Sequence, residues 1–292
     1  VTRAAETLTV PAANMPWPTP VVIGEELVTG DSSTFTSSLG DWAYYTGATA
    51  SVVDEKFSIS GIGTYQIAGL LTVGKVYLVE FDYTRALSSY TPYVGDRASP
   101  GSQVRVPNDG TLSGRASGVI RCVFNTAAVG SAAGAVTIDN ISVKEIEESV
   151  SIQMDGLMTY ADTGSGVQVS FHNWKLSSNN FINARLNTQG SRTGQVMFYQ
   201  RETISGQLIL GSSNVAYAPN TNVPFNIASR HGSTFVNGAV DGTALTANTT
   251  PPALPDLSTT NFSLAPTYMG TIGKLRVWAD DLGDTGIAEA SA

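Results

Sequence analysis

The chain has 292 residues, 42% of them hydrophobic and only 14% charged, with 29 glycines. That length accommodates two domains of common size, and low charge with many small turn formers points to β-structure rather than helical packing. The net charge of −8 argues against a nucleic-acid partner, which needs clustered Lys and Arg; no apolar run approaches the ~20 residues of a spanning helix, so membrane insertion is not expected.

In chain order, Leu8 and Val10 alternate with Thr7 and Thr9, which predicts a short strand. Pro16, Pro18 and Pro20 then forbid helix and leave an extended segment in which Trp17 is expected to pack against a neighbour. From Gly24 the texture changes. SVVDEKFSIS, KVYLVEFDYTR and VIRCVFNT each alternate with period two. The clearest set places Tyr77, Val79, Phe81 and Tyr83 on a core face, against Leu78, Glu80, Asp82 and Thr84. Cys122 is the only cysteine, so no intrachain disulfide exists, and it is expected as a small buried residue on a strand. Two turn-rich loops, ALSSYTPYVGDRASPGS and VPNDGTLSGRASG, separate these strands, with a tight turn predicted at Asn108-Asp109-Gly110. Val136 and Ile138 are followed by Ile141 and Val143, and the one-residue slip at Asp139-Asn140 predicts a β-bulge.

From 149 onward SVSIQM, VQVSFHNW, FINARLNT, QVMFYQ, QLILG, PFNIAS and GKLRVWAD read as further strands. Asn237-Gly238 in STFVNGAVDG predicts a two-residue hairpin turn, because both residue types tolerate positive φ. A helical turn is expected in DLGDTGIAEAS with Asp284 as its N-cap.

The junction TIDNISVKEIEESVSIQMDG sets the organisation. One strand ends at Ile146 and another begins at Val150, with Glu147-Glu148-Ser149 between them, too short for an ordinary linker. Two tandem domains would leave TLTVPAAN at the N-terminus without a sheet, and a lone short strand is not stable. If 7–14 instead pairs with strands of 149–292, the piece 24–147 is an insertion whose ends lie close together. ELV at 26–28 and ISVKEI at 141–146 are strand-like and suited to lie side by side. The insertion is preferred to the tandem arrangement.

The segments TRAAETLTVPA, VSIQMDGLMTYAD, PFNIASRHGSTFVNGAVDGTA and MGTIGKLRVWADDLGDTGIAEA resemble a laminin-G-like, concanavalin-type jelly roll found in tailed-phage and prophage virion proteins. The segment from GEELVTGDSSTFTSSLGDW, through LTVGKVYLVEFDYTR, to AVTIDNISVKEI resembles a carbohydrate-binding-module-type β-sandwich, with a longer spacer before the tryptophan than is usual. Together they imply an all-β protein of two β-sandwiches (jelly rolls), one inserted into the other after its first strand. The jelly roll would comprise 1–23 plus 148–292 and the inserted module 24–147.

A sugar site on such a sandwich needs aromatic faces for pyranose C–H groups and polar side chains for hydroxyls. Tyr90 and Tyr93, in the loop SSYTPYVGD, are the leading candidates, with Trp42, Tyr44, Tyr45 and Tyr65 beside them. Trp42 also stands where this module type usually buries a tryptophan. The resemblance further implies Ca²⁺ near the terminal strand, with Asp139, Glu25 and Glu26 as the available carboxylates; a bulge Asp bonding its own backbone is the alternative. Asp280, Asp281 and Asp284 read as charge complementing a helix N-terminus.

An enzyme is not expected. His172 and His231 stand alone, without His-Glu-x-x-His or Gly-x-Ser-x-Gly, and Glu145-Ile146-Glu147-Glu148 falls on the junction. The reading is therefore a phage virion component of tail-fibre, spike or head-fibre type, located on the particle surface, with a non-catalytic glycan-binding or host-adhesion role. Its expected partners are other virion proteins, further copies of the chain and a bacterial surface glycan. The alternatives are a purely structural capsid or tail decoration or connector protein, and, third, a glycan hydrolase.

Overall fold

The structure is a computed structural model and describes residues 8–96, 102–107, 109–131, 135–161, 168–202, 206–211, 216–264 and 270–292. Asn108, the first residue of the expected tight turn, lies outside the described residues. The fold is all-β: two β-sandwiches, one inserted into the other after its first strand. The compact units are Val1–Thr19 with Glu148–Ala292, and Pro20–Glu147. Among the described residues no helix is long and apolar enough to cross a membrane.

The outer unit begins with β1 (Leu8–Val10). The inserted unit follows, with β2 (Val21–Glu26), a short helix α1 (Asp31–Thr34), β3 (Ala43–Thr46), β4 (Thr49–Val53), β5 (Lys56–Ser60), β6 (Gly63–Ala68) and β7 (Val76–Arg85). It continues with β8 (Pro92–Asp96), β9 (Gln103–Arg105), β10 (Ser113–Arg121), β11 (Thr126–Ser131) and β12 (Ala135–Glu147). One of its sheets has the order β10-β7-β12-β5-β4, with β2 also on β12; the other runs β3-β6-β11-β8-β9. Alternation along each strand sends one face inward, so Phe57, Ile59, Tyr77, Val79, Phe81 and Ile138 of the first sheet meet Tyr65, Val94 and Val129 of the second in one core.

Several local features differ from the expected pattern. SVVDEKFSIS is a hairpin, not one strand: Asp54 and Glu55 take φ of 49° and 58° and turn β4 back onto β5. Val21 and Val22 pair with Glu147 and Ile146, so the inserted unit starts before Gly24. Cys122 is buried but lies just past the end of β10, where its Sγ accepts from the Asn125 N–H and burial pushes the thiol up to about 11. The long spacer before Trp42 has a cause of its own. Asp31 accepts from the hydroxyls of Thr36, Ser37 and Ser38, and these bonds lower its carboxyl to about 2. The β12 register slips between Asp139 and Ser142, with Asn140 at φ 49°.

The outer unit resumes with β13 (Ser149–Tyr160), β14 (Gln168–Ser177), β15 (Asn180–Asn187), β16 (Val196–Glu202), β17 (Gly206–Gly211) and β18 (Asn220–Gly232). It ends with β19 (Val236–Val240), β20 (Thr243–Ala244), β21 (Phe262–Leu264), β22 (Gly270–Trp278) and the helix α2 (Gly283–Ala290). β1 is the edge strand of the sheet β1-β21-β14-β15-β16-β17, with Leu8, Thr9 and Val10 opposite Leu264, Ser263 and Phe262. The facing sheet is β20-β19-β18-β13-β22. Between them Trp174, Phe171, Phe198 and Phe262 are fully buried, and Trp17 meets Trp174 edge-on at 5.2 Å.

The expected Asn237-Gly238 turn is not there. Both residues lie inside β19, and the hairpin turns instead at Asp241-Gly242, with φ of 47° and 79°. Gly238 is required for space: a Cβ there would stand 2.1 Å from the Phe198 ring. Asn237 is fully buried and donates to Leu245 O and Asp284 Oδ1. That bond also corrects Asp284. It lies in the first turn of α2 without capping it, and its Oδ1 accepts from Arg230 Nη1 at 2.8 Å.

Candidate functional site

The aromatic candidates separate by burial. Trp42 is 4% exposed, its Nε1 donates to Ser32 O at 2.7 Å, and its ring packs edge-on against Phe57. Tyr65 lies in the same core, with its hydroxyl accepting from the Ala50 N–H. Tyr93 is not on a loop: it sits in β8, paired with β11 on one side and β9 on the other. Its ring is 8% exposed, its hydroxyl bonds Thr64 Oγ1 at 2.7 Å, and the Arg105 guanidinium covers it at 4.7 Å. Tyr90 is half-buried against the core, in a loop held by Arg85, which donates to Tyr90 O, Thr111 O and Pro107 O. The rings of Trp42, Tyr65 and Tyr93 are buried, and Tyr90 is half-buried. Tyr44 and Tyr45 do stand exposed on the edge strand β3, but a register slip there makes Tyr45 the extra residue of a bulge. Tyr44 meets Tyr65 edge-on and accepts from the Gly47 N–H.

The carboxylates expected around Ca²⁺ do not converge. Glu26 accepts from the Val143 N–H and the Ser142 hydroxyl, both at 2.6 Å, and so satisfies a backbone donor of β12. Glu25 is exposed, and Asp139 faces a different part of the sheet. Among the described residues no group of three His, Cys, Asp or Glu side chains gathers to hold a metal. The donor set does not fit a cation demanding six to eight oxygens.

The strand register brings a different set together on the outer face of the six-stranded sheet. Ser113, Thr84, Thr137, Ser58 and Ser51 stand directly opposite one another across β10, β7, β12, β5 and β4. Four strand spacings make this hydroxyl row roughly 19 Å long. Two residues along each strand runs a charged row, where Arg115 opposes Asp82 and Asp82 opposes Asp139. Lys56 lines the same depression. Short hydroxyl side chains beside long charged ones leave a groove. Its first part, about 190 Å³, is lined by Lys56, Asp82, Thr84, Thr137, Asp139 and Asn140. The second, about 260 Å³, shares Thr84 and Thr137 and continues over Ser58, Ala86, Ala135 and Val136.

The charged end is internally braced. Asp82 accepts from Arg115 Nη1 at 3.2 Å and from Asn140 Nδ2 at 2.8 Å. Asp139 accepts its neighbour's N–H, as a bulge Asp can. Partial burial raises the Asp139 carboxyl above its ordinary range; Asp82 and Glu55 add to the rise, while the Asn140 N–H and Lys56 oppose it. The result is an open cleft of acceptors, donors and hydroxyls suited to hydrogen-bonding a polyol. Sequence reasoning singled out Asp139 alone. It placed Asp82 and Thr84 on the outward face of β7 but had no register with which to align them.

These features define a β-sandwich protein with a polar groove on its inserted unit. No family model matches the chain, and no curated protein matches it. Among solved structures, the CBM40 of Ruminococcus gnavus IT-sialidase bound to α2,3-sialyllactose matches at 15% identity, covering 50% of this chain and 83% of that one, with a TM-score of 0.38. The botulinum neurotoxin serotype D binding domain matches at 11% identity, covering 49% and 35%, with a TM-score of 0.35. Domains LG4-5 of the mouse laminin α1 chain match at 10% identity, covering 81% and 93%, with a TM-score of 0.33. These are distant likenesses, and the fold assignment rests on the sheets themselves.

Proposed function

We propose that the chain is a non-catalytic glycan-binding component of a phage virion, of the tail-fibre, spike or head-fibre type, and that it acts in host adhesion on the particle surface. The observation that carries glycan binding is the groove over Lys56, Asp82, Thr84, Thr137, Asp139 and Asn140. The virion setting rests on the sequence resemblance of the outer unit alone. Other virion proteins and further copies of this chain are the partners it implies.

The test is a bacterial-polysaccharide array probed with the purified protein. Selective retention is expected, weakened about tenfold or more by Asp139→Ala, since a hydrogen bond to a charged group contributes roughly 1.5–3 kcal/mol. A chelator should change nothing, because the carboxylates do not converge on a cation site. Weakening by Tyr44→Ala or Tyr45→Ala instead would move the site to β3. Release of reducing sugar, abolished by Asp139→Asn, would overturn the non-catalytic reading.

A purely structural role has one observation in its favour. Val21, Val22 and Ile23 are three consecutive exposed apolar residues, on a strand that among the described residues pairs with β12 alone. Exposed rows of this kind favour pairing with another chain. A folded sample that binds no saccharide, and whose self-association is lost on Val22→Lys, would select this alternative.

A further inference from the structure

The two parts of the groove differ in chemistry, and the difference names a ligand class. We propose that the groove takes an uncharged oligosaccharide carrying a methyl-bearing unit, a 6-deoxy, N-acetyl or O-acetyl sugar, next to a unit with a free diol. This rests on the glycan-binding reading above and narrows it.

At one end, Asp82 and Asp139 offer carboxylate oxygens, to which a vicinal diol donates two hydrogen bonds. Lys56 and Asn140 supply donors for ring and hydroxyl oxygens on the same sugar. Glu80 and Asp82 already engage Arg115, and Glu55 lies near enough to Asp139 to raise its carboxyl. Four carboxylates therefore surround this end, against the two cations Lys56 and Arg115. A uronate or sialylated chain would meet net negative charge there, in a protein whose overall charge is −8.

The other end changes character over a short distance. Past Thr84 and Thr137 the lining becomes Ala86, Ala135 and Val136, beside the buried stem of Arg85. Among the described residues no aromatic ring lines this part to receive a pyranose face. A single methyl group is the size of feature that a shallow alanine-lined depression can desolvate. The charged and alanine-bearing rows are four residues apart along each strand, roughly 13 Å. That exceeds one pyranose ring, so the two features fall on different units of an oligosaccharide.

Matched titrations of the full chain test this. The probes are neutral oligosaccharides in pairs, O-acetylated against de-O-acetylated and 6-deoxy against 6-hydroxy, together with uronate oligosaccharides. The methyl-bearing member of a pair should bind roughly fourfold tighter, the worth of one buried methyl or methylene. Uronates should not bind. Ala135→Glu, a change at an exposed strand position, should erase the preference without moving the thermal midpoint. Equal affinity within every pair, or tighter binding of uronates, overturns the inference and leaves glycan binding standing. Retention of no saccharide of any class removes both. A preference that survives Ala135→Glu in a folded protein would place the methyl elsewhere and also overturns it.

Discussion

Lowering the pH from 7 to 5 is expected to destabilise the outer unit by about 4 kcal/mol, roughly 2 from each of two buried histidines. His172 and His231 are 1% and 0% exposed. His231 Nδ1 lies 3.2 Å from Gln200 Oε1 and its Nε2 3.1 Å from Ser229 Oγ, while His172 stacks on Phe262. Burial holds both imidazoles down to about 3, and a charge on His172 would lower His231 further. The folded state therefore binds fewer protons than the unfolded chain below the ordinary histidine range. Stability is full above pH 6.5, falls as the unfolded histidines protonate, and keeps falling until about pH 3. Urea unfolding followed by tryptophan fluorescence at pH 7, 6 and 5 measures it. Trp17, Trp174 and Trp278 report the outer unit and Trp42 the inserted one. A midpoint unmoved between pH 7 and 5 would mean that the histidines are not held neutral in the core.

Trp174→Ala is expected to cost the same unit about 3–5 kcal/mol, the range for truncating a fully buried large aromatic. The ring is inaccessible and meets Trp17 at 5.2 Å and Phe262 at 5.6 Å, while Nε1 donates to Thr260 O at 2.9 Å. Removing it opens a cavity, orphans a carbonyl and takes away the partner of Trp17. The segment after β1 should loosen first. Equilibrium unfolding gives the magnitude, and proteolysis near Pro16–Pro20 gives the local effect. A loss under 1 kcal/mol with an unchanged cleavage pattern would show that the N-terminal segment does not depend on this contact.

Strand alternation was the legible part of this sequence. The inward set Tyr77, Val79, Phe81 and Tyr83 is buried as the period-two pattern requires, and the phase slip at Asp139-Asn140 is a bulge. Turns were less legible, because two dipeptides of the same chemistry stood four residues apart. Asn237-Gly238 and Asp241-Gly242 both suit positive φ. The packing of Gly238 against Phe198 and the buried bonds of Asn237 keep the first in the strand. SVVDEKFSIS hid a hairpin because neither Asp54 nor Glu55 is glycine, and the register forces positive φ on both. The loop placement of Tyr93 does not hold, because β8 occupies what composition marked as loop and buries Tyr93 in a sheet. The groove was illegible for a different reason. Its hydroxyl row draws one residue from each of five strands, and no local window contains that alignment. The outward Asp82 and Thr84 were visible one strand at a time; their juxtaposition with Asp139 and Thr137 exists only once β7 and β12 are paired.

The most direct test of glycan binding at the groove is a crystal structure of the protein with the saccharide that the array selects. Sugar hydroxyls within about 3.2 Å of the Asp82 and Asp139 carboxylates, with the chain extending over Thr84 and Thr137 toward Ala135, are the predicted result. A saccharide seated on Tyr44 and Tyr45, or within residues 148–292, would contradict it.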